Sequence, residues 1–323
     1  MFFGFTADQL ALRDGVREAL RPRDEAKPPS GAEVWERLVG LGLFAALVPE
    51  ADSGLGLDEL DVLPCLEESG RAAVPVPLVE TAFVAARLLA GTGHAARLAA
   101  GGWRVTAALD GSGLAPWPDA ADAVLVGGPA DGGGYGPVRL LEPVAGEAVA
   151  AVDPQRPLAR VPPEAGVVVC DDAELVAAAV RAGVLGTAAQ LVGLADAALR
   201  TTVAYVAGRR QFGVPVGSFQ AVQHQLADAA VALELARPLV YAAGWAHARG
   251  EASADRDVAA AKLRAGTAAG RVARAALQCH GATGYTREYP LHRRLLRIWA
   301  LHAAWGPEAR HRALLAASLG LTD

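Results

Sequence analysis

The amino-acid sequence predicts an α+β fold, mainly helical, with an N-terminal helical domain over residues 1–103, a small β-domain over 104–171 and a C-terminal helical bundle over 172–323. Three observations predict it. Capping motifs followed by apolar residues at helical spacing mark the first part. Five short apolar runs separated by Gly, Pro and Asp mark the second. Alanine-rich segments carrying a long apolar stripe mark the third.

In the first part, Thr6-x-x-Gln9 and Ser30-x-x-Glu33 fit the capping box, in which a hydroxyl and a later side chain satisfy the first free amides of a helix. Behind the second cap, Trp35, Leu38 and Val39 recur at helical spacing until Gly40 and Gly42 break it. A loop from Pro49 to Gly56 leads into a helix over Asp58 to Ser69. Pro75 and Pro77 precede another near Val79 to Leu89. In the second part the runs are Val105 to Leu109, Ala123 to Val126, Val138 to Leu141, Leu158 to Val161 and Gly166 to Cys170. Asp131-Gly132-Gly133-Gly134 reads as a turn, since no helical pattern follows it. In the third part, Val222, Leu226, Ala229, Leu233, Ala236 and Val240 form one apolar stripe about 27 Å long at 1.5 Å per residue.

Composition narrows the function classes. Hydrophobic residues make up 52% of the 323 and charged residues 20%, enough for a large core. The net charge of −5 argues against a nucleic-acid partner. Cys65, Cys170 and Cys279 lack metal-ligand spacing and read as reduced thiols of a cytoplasmic protein. No signal peptide is legible at the start of the chain, where Met1 to Phe5 are apolar but too few for an h-region. The run Ala182 to Ala195 contains Thr187 and Gln190 and lies between Arg181 and Asp196. A span needs roughly 20 apolar residues, so it reads as a buried core helix and no membrane is implied.

Two segments carry candidate chemistry. Arg209-Arg210-Gln211-Phe212-Gly213 interrupts two helical segments, and Ser218 and Gln220 open the next helix. Arginine offers a planar fork of donors suited to a pyrophosphate, an aromatic ring packs on a base, and Gly213 permits close approach. Alone, the stretch reads better as a solvated loop. Gln278-Cys279-His280-Gly281-Ala282-Thr283-Gly284-Tyr285 ends a helix at glycine, which frees backbone amides for an acceptor. Alone, it reads as a helix stop with a satisfied histidine.

Together the segments resemble the acyl-CoA dehydrogenase family. Its C-terminal domain carries R-x-x-F-G, then F-Q-x-x-Q-x-x-L-A-D, then Q-x-x-G-G-x-G-Y-x-x-E-Y-P. Here these are Arg209 to Gly213, Phe219 to Asp228 and Gln278 to Pro290. The N-terminal third agrees through Trp35 to Leu38, Gly42-Leu43, Val48-Pro49-Glu50, Gly54-Leu55-Gly56 and Glu67 to Arg71. The resemblance implies a helical domain, a central β-domain and a C-terminal four-helix bundle. It also implies α,β-dehydrogenation of an acyl-CoA with FAD, and an electron-transfer flavoprotein or similar acceptor. The family's flavin site spans two subunits. On that pattern Arg209, Phe212, Gln220, Gln278, His280 and Gly281 are expected to contact FAD shared with a partner subunit.

The departures are as informative. No T-E-P-x-x-G-S-D or W-I-T-N stretch lies between Trp103 and Cys170, so the β-domain is reduced where the family lines the flavin ring, although Val152 to Ala159 does look like a later strand of that domain. Ala282 replaces the second glycine. The family's base is a glutamate, because a carboxylate must reach an acidified C–H. Its two usual locations fall here on Trp305 and Gly183, which take no proton, and Glu308 is a weak alternative. The chain therefore resembles the truncated, non-catalytic subunit of a heteromeric acyl-CoA dehydrogenase of steroid-degradation type, with a catalytic acyl-CoA dehydrogenase subunit as its partner. The alternatives are a self-contained dehydrogenase with an unrecognised base and a non-enzymatic acyl-CoA-binding or scaffold protein.

Overall fold

The capping boxes form as the spacing predicts. The Thr6 hydroxyl accepts from the Gln9 amide at 3.2 Å while the Gln9 side chain accepts from the Thr6 amide at 2.9 Å, opening α1 (Ala7–Leu20). Ser30 and Glu33 do the same for α2 (Gly31–Gly40), and Asp58 and Asp61 for α3 (Glu59–Arg71). The structure, a computed structural model, describes residues 4–22, 30–130, 134–286 and 289–321. The helix expected near Val79 differs from the expectation. It begins as a π-turn over Glu80–Ala85 and becomes regular only in α4 (Ala86–Leu88) before α5 (Ala95–Ala99). Every residue of that turn is buried, the Glu80 carboxyl among them.

All five predicted runs are strands: β1 (Val105–Ala108), β3 (Ala123–Val126), β4 (Val138–Leu141), β6 (Leu158–Arg160) and β7 (Val167–Cys170). Two more, β2 (Leu114–Pro116) and β5 (Glu147–Val149), were not predicted. Each is three residues long, too short to show an alternation, and they carry Pro116 and Glu147. One sheet runs β1-β3-β4-β7 and the other β2-β6-β5. Only the β1–β3 pair is parallel. The turn expected at Asp131 to Gly133 lies outside the described residues; Gly134 takes φ +78°.

The C-terminal bundle consists of α6 (Ala173–Gly208), α7 (Gln220–Ala248), α8 (Ala254–His280) and α9 (Leu291–Ala303), with α10 (Glu308–Ser318) laid against α8. By length and hydropathy α6 could cross a membrane, but 78% of its most apolar stretch is buried inside the fold. The predicted α7 stripe faces inward, with Leu226, Ala229, Leu233, Ala236 and Val240 buried. Two glycines let α3 and α6 cross with their backbones in contact. A Cβ on Gly193 would lie 1.8 Å from the Glu67 carbonyl oxygen, and one on Gly70 would lie 2.1 Å from that of Gln190. Beside this crossing Gln190 donates to the Ser69 hydroxyl at 3.1 Å, and Arg71 pairs with Glu67, Glu68 and Asp196. A core shared by the helices and the larger sheet joins the three parts, from Trp35 and Phe44 through Val105 and Leu125 to Leu185 and Val272.

Candidate functional site

The Arg-Arg-Gln-Phe-Gly stretch is a β-hairpin rather than an open loop. Arg210–Gln211 (β8) pairs with Val214–Pro215 (β9), in the register Arg210 with Pro215 and Gln211 with Val214. The two linking residues, Phe212 at φ +51° and Gly213 at φ +82°, both lie in the left-handed region, as a type I′ turn requires. Gly213 adopts this freely, whereas Phe212 does so at some cost in strain. The result is a phenylalanine held out at a hairpin tip, 93% exposed, with the exposed Phe219 edge-on at 6.3 Å between centroids. Arg210 braces the tip by donating to the Gly213 carbonyl at 2.9 Å. Arg209 caps α6 through its backbone amide, and its exposed guanidinium has no side-chain partner among the described residues.

The second segment meets the first at the ends of α6 and α8. His280, the last residue of α8, is buried and stacks on Tyr205, one turn before Arg209, at 4.1 Å between centroids. Tyr289 lies beside both rings, 5.0 Å from His280 and 5.7 Å from Tyr205 between centroids. The His280 Nδ1–H donates to the Ala276 carbonyl at 2.8 Å, and burial lowers the imidazole's pKa, so the ring is neutral at pH 7. Packing thus takes most of the His280 surface, and Nε2 has no partner among the described residues. Gln278 and Gly281 stay exposed; Gly281 takes φ +55°, and no atom lies within 4 Å of where its Cβ would be. Gln220 is also exposed, as the first residue of α7. One end of the bundle therefore gathers Arg209, Phe212, Gln220, Gln278 and Gly281, with His280 as the packed hinge between the two segments.

The two expected base positions also meet. A Cβ on Gly183 would fall 2.6 Å from the Trp305 ring, so the indole lies flat against the α6 backbone. Trp305 is buried at φ +60°, and Gly306 follows at φ +103°. The Trp305 carbonyl accepts from His311 Nε2 at 3.1 Å. Aromatic surface fills the place where a carboxylate from either position would stand. Glu308 points elsewhere: it pairs with Arg312 and approaches His302 Nε2 at 3.7 Å, half in solvent.

Behind Trp305 is a group of buried charges that sequence reasoning missed. Arg297 on α9 pairs with Asp153 and donates to the Val74 carbonyl at 2.7 Å and that of Gln155 at 3.3 Å. Arg156 lies over one side of the Trp117 ring at 5.2 Å, with Arg297 also against that ring at 5.4 Å. Glu80 is 3.9 Å from Arg156. Burial pushes the Glu80 carboxyl above its ordinary range although Arg156 opposes it, and burial likewise pulls the Arg156 guanidinium down. The available signal was an acid inside the apolar run Leu78 to Ala86, which marks a charge that needs a buried partner.

These geometries leave the two regions with different chemistry. The exposed Arg209 and Gln278 and the open backbone at Gly281 suit a pyrophosphate and its adenosine. At the other region, Trp305 is seated on Gly183 and no carboxylate stands at either position. Among the described residues no group of three His, Cys, Asp or Glu side chains could hold a metal ion.

Comparison with known proteins identifies the family of the fold. Residues 6–97 match the acyl-CoA dehydrogenase N-terminal domain, and residues 174–320 match the acyl-CoA dehydrogenase C-terminal domain. Acyl-CoA dehydrogenase IpdE2 of Mycobacterium tuberculosis is 33% identical over 255 residues, which is 78% of this chain and 75% of that protein. The ChsE4–ChsE5 complex from Mycobacterium tuberculosis superposes with a TM-score of 0.83 at 24% identity over all of both chains. A variant of the Tcur3481–Tcur3483 steroid ACAD superposes at 0.81 with 25% identity over 97% of each. With both terminal domains matched and a relative of this identity spanning most of its length, the chain belongs to the acyl-CoA dehydrogenase family.

Proposed function

We propose that this chain is the non-catalytic subunit of a heteromeric acyl-CoA dehydrogenase, where it completes a flavin site whose ring and base belong to a partner subunit. The observation that carries this reading is the contact between Trp305 and Gly183. Both usual places for the base are spent on packing, and the bundle end with Arg209 and Gln278 stays open. FAD, when bound, supplies the acceptor for the hydride leaving the acyl β-carbon. This chain's part is to bind and orient. Arg209 would offer charge-assisted donors to the pyrophosphate, Gln278 and the Gly281 backbone would hold the adenosine side, and Phe212 would cover it from the hairpin tip. Gln220 would add a polar contact from the start of α7. An electron-transfer flavoprotein or similar acceptor would reoxidise the complex.

Two likenesses support a steroid-type acyl-CoA as substrate class and a two-chain assembly. One is to a complex of two named chains, and the other is to a protein described as a steroid ACAD. The three-part division at residues 103 and 171 belongs to the same reading, with the middle part reduced. The test is to purify the chain alone and together with a longer acyl-CoA dehydrogenase that retains the base glutamate. Flavin absorbance and acyl-CoA-dependent bleaching are followed with an artificial acceptor. Turnover and stoichiometric flavin are expected only with both chains. Flavin-dependent turnover by the isolated chain would overturn the proposal in favour of a self-contained enzyme. A partner that is fully active without this chain would leave a scaffold.

A further inference from the structure

The buried charges behind Trp305 border a cavity of about 240 Å³ that the proposed assembly does not use. Its polar wall is Glu80, Arg156, Asp110 and Ser112, and its apolar wall includes Leu109, Leu114, Leu158, Ala300 and Trp305. A water needs only about 10–15 Å³ of such space, so a ligand of several heavy atoms fits.

Arg156 distinguishes this cavity from a packing defect. Its side chain is 7% exposed, yet it makes no hydrogen bond to a side chain or carbonyl among the described residues, and its Nε–H is buried without an acceptor. At 3.9 Å, Glu80 is beyond hydrogen-bond range of the guanidinium. Arg297, by contrast, spends its donors on Asp153 and two carbonyls. Asp110 is engaged at the rim, accepting from the Ser112 amide at 2.9 Å and hydroxyl at 2.5 Å. A buried guanidinium with donors to spare above an apolar chamber has the chemistry of a carboxylate receptor.

We propose that this cavity binds a short aliphatic carboxylate, its oxygens on Arg156 and its tail against Leu109, Leu114, Leu158 and Trp305. The ligand's charge is balanced locally. Glu80 is held towards its neutral form by burial, while Arg156 and, more weakly, Arg297 favour its anion. Lys262 from α8 and Asp110 from the end of β1 also act on Arg156, with opposite signs. Above the pH at which Glu80 ionises, a second carboxylate binds as Glu80 takes up a proton, so binding weakens there as pH rises, by up to about tenfold per pH unit while one proton is linked. The site needs neither flavin nor partner chain and is independent of the proposed function.

The full chain is titrated by calorimetry and by tryptophan fluorescence with acetate, butyrate, hexanoate and octanoate, and with butylamine as a cationic control. Saturable binding is expected, strongest at intermediate length and absent for butylamine. Arg156→Met should weaken butyrate about 10- to 100-fold. Ala300→Leu should weaken hexanoate more than acetate by filling the apolar wall, and it keeps the test open should Arg156→Met fail to fold. Glu80→Gln should retain binding and lose its pH dependence. Absence of saturable binding, equal affinity in Arg156→Met, or indifference to Ala300→Leu would overturn the proposal.

Discussion

Gly183 and Trp305 are one contact made by two residues. The α6 backbone is bare at Gly183 because the indole needs that space, with 2.6 Å left for any Cβ. Gly183→Ala should therefore destabilise the chain by about 1–3 kcal/mol through overpacking, despite alanine's better helix propensity. Chemical denaturation of Gly183→Ala, Trp305→Ala and the double variant gives the coupling. The double variant should lose less than the sum, and additive losses would mean the ring does not sit where described. Arg209 has the opposite character, since it is exposed and free. Arg209→Ala should leave stability unchanged and reduce flavin retention in the assembled complex roughly tenfold or more, the value of one charge-assisted contact. Equilibrium dialysis of the complex measures this. Reading the sequence singled out Gly183, Trp305 and Arg209. It did not reveal that Gly183 and Trp305 touch, because that contact joins the middle of one helix to a turn after another.

The α9–α10 turn that carries Trp305 is an element held by buried bases. Lys262 donates to the Leu301 and His302 carbonyls, each at 3.0 Å, and His311 holds the Trp305 carbonyl. Burial, with Arg156 nearby, pulls the Lys262 pKa down to about 7, and burial, with Lys262 nearby, pulls that of His311 down to about 4. Both groups bind protons more weakly folded than unfolded. The unfolded chain thus holds the extra proton between pH 4 and 6.5 for His311, and between 7 and 10.5 for Lys262. Stability should rise with pH through both windows as far as these two groups decide it, and His311→Gln should flatten the lower one; thermal melts across pH measure it. The α3–α6 crossing is the other element with a sharp requirement. Gly193→Ala sets a methyl 1.8 Å from a backbone oxygen that has no rotamer to escape into, so a loss above about 3 kcal/mol or failure to fold is expected, read by circular dichroism.

At the scale of the whole molecule the prediction concerns Glu308. It pairs with Arg312 on the surface and does not line the cavity behind Trp305. Glu308→Gln should thus leave turnover of the assembled complex unchanged, and a loss of rate of about 10²-fold or more would identify it as the base. The α–β–α order, the caps at Thr6 and Ser30 and the inward stripe of α7 were legible because they rest on local rules: hydrogen-bond satisfaction within one turn and the helical period. So were the five strands that lie in apolar runs. β2 and β5 were not legible, because Pro116 and Glu147 keep their three residues from forming an apolar run, nor was the hairpin turn at Phe212, where a bulky residue takes a conformation glycine would normally supply. The sequence by itself determined the family and the layer order. Only the tertiary structure decided that Trp305 fills the space above Gly183, that His280 joins the two segments by stacking on Tyr205, and that Glu80 and Arg156 lie side by side in the wall of a cavity. The physical reason is that local patterns report bonds a segment makes with itself, whereas burial, apposition and shifted protonation arise only when distant segments close around one another.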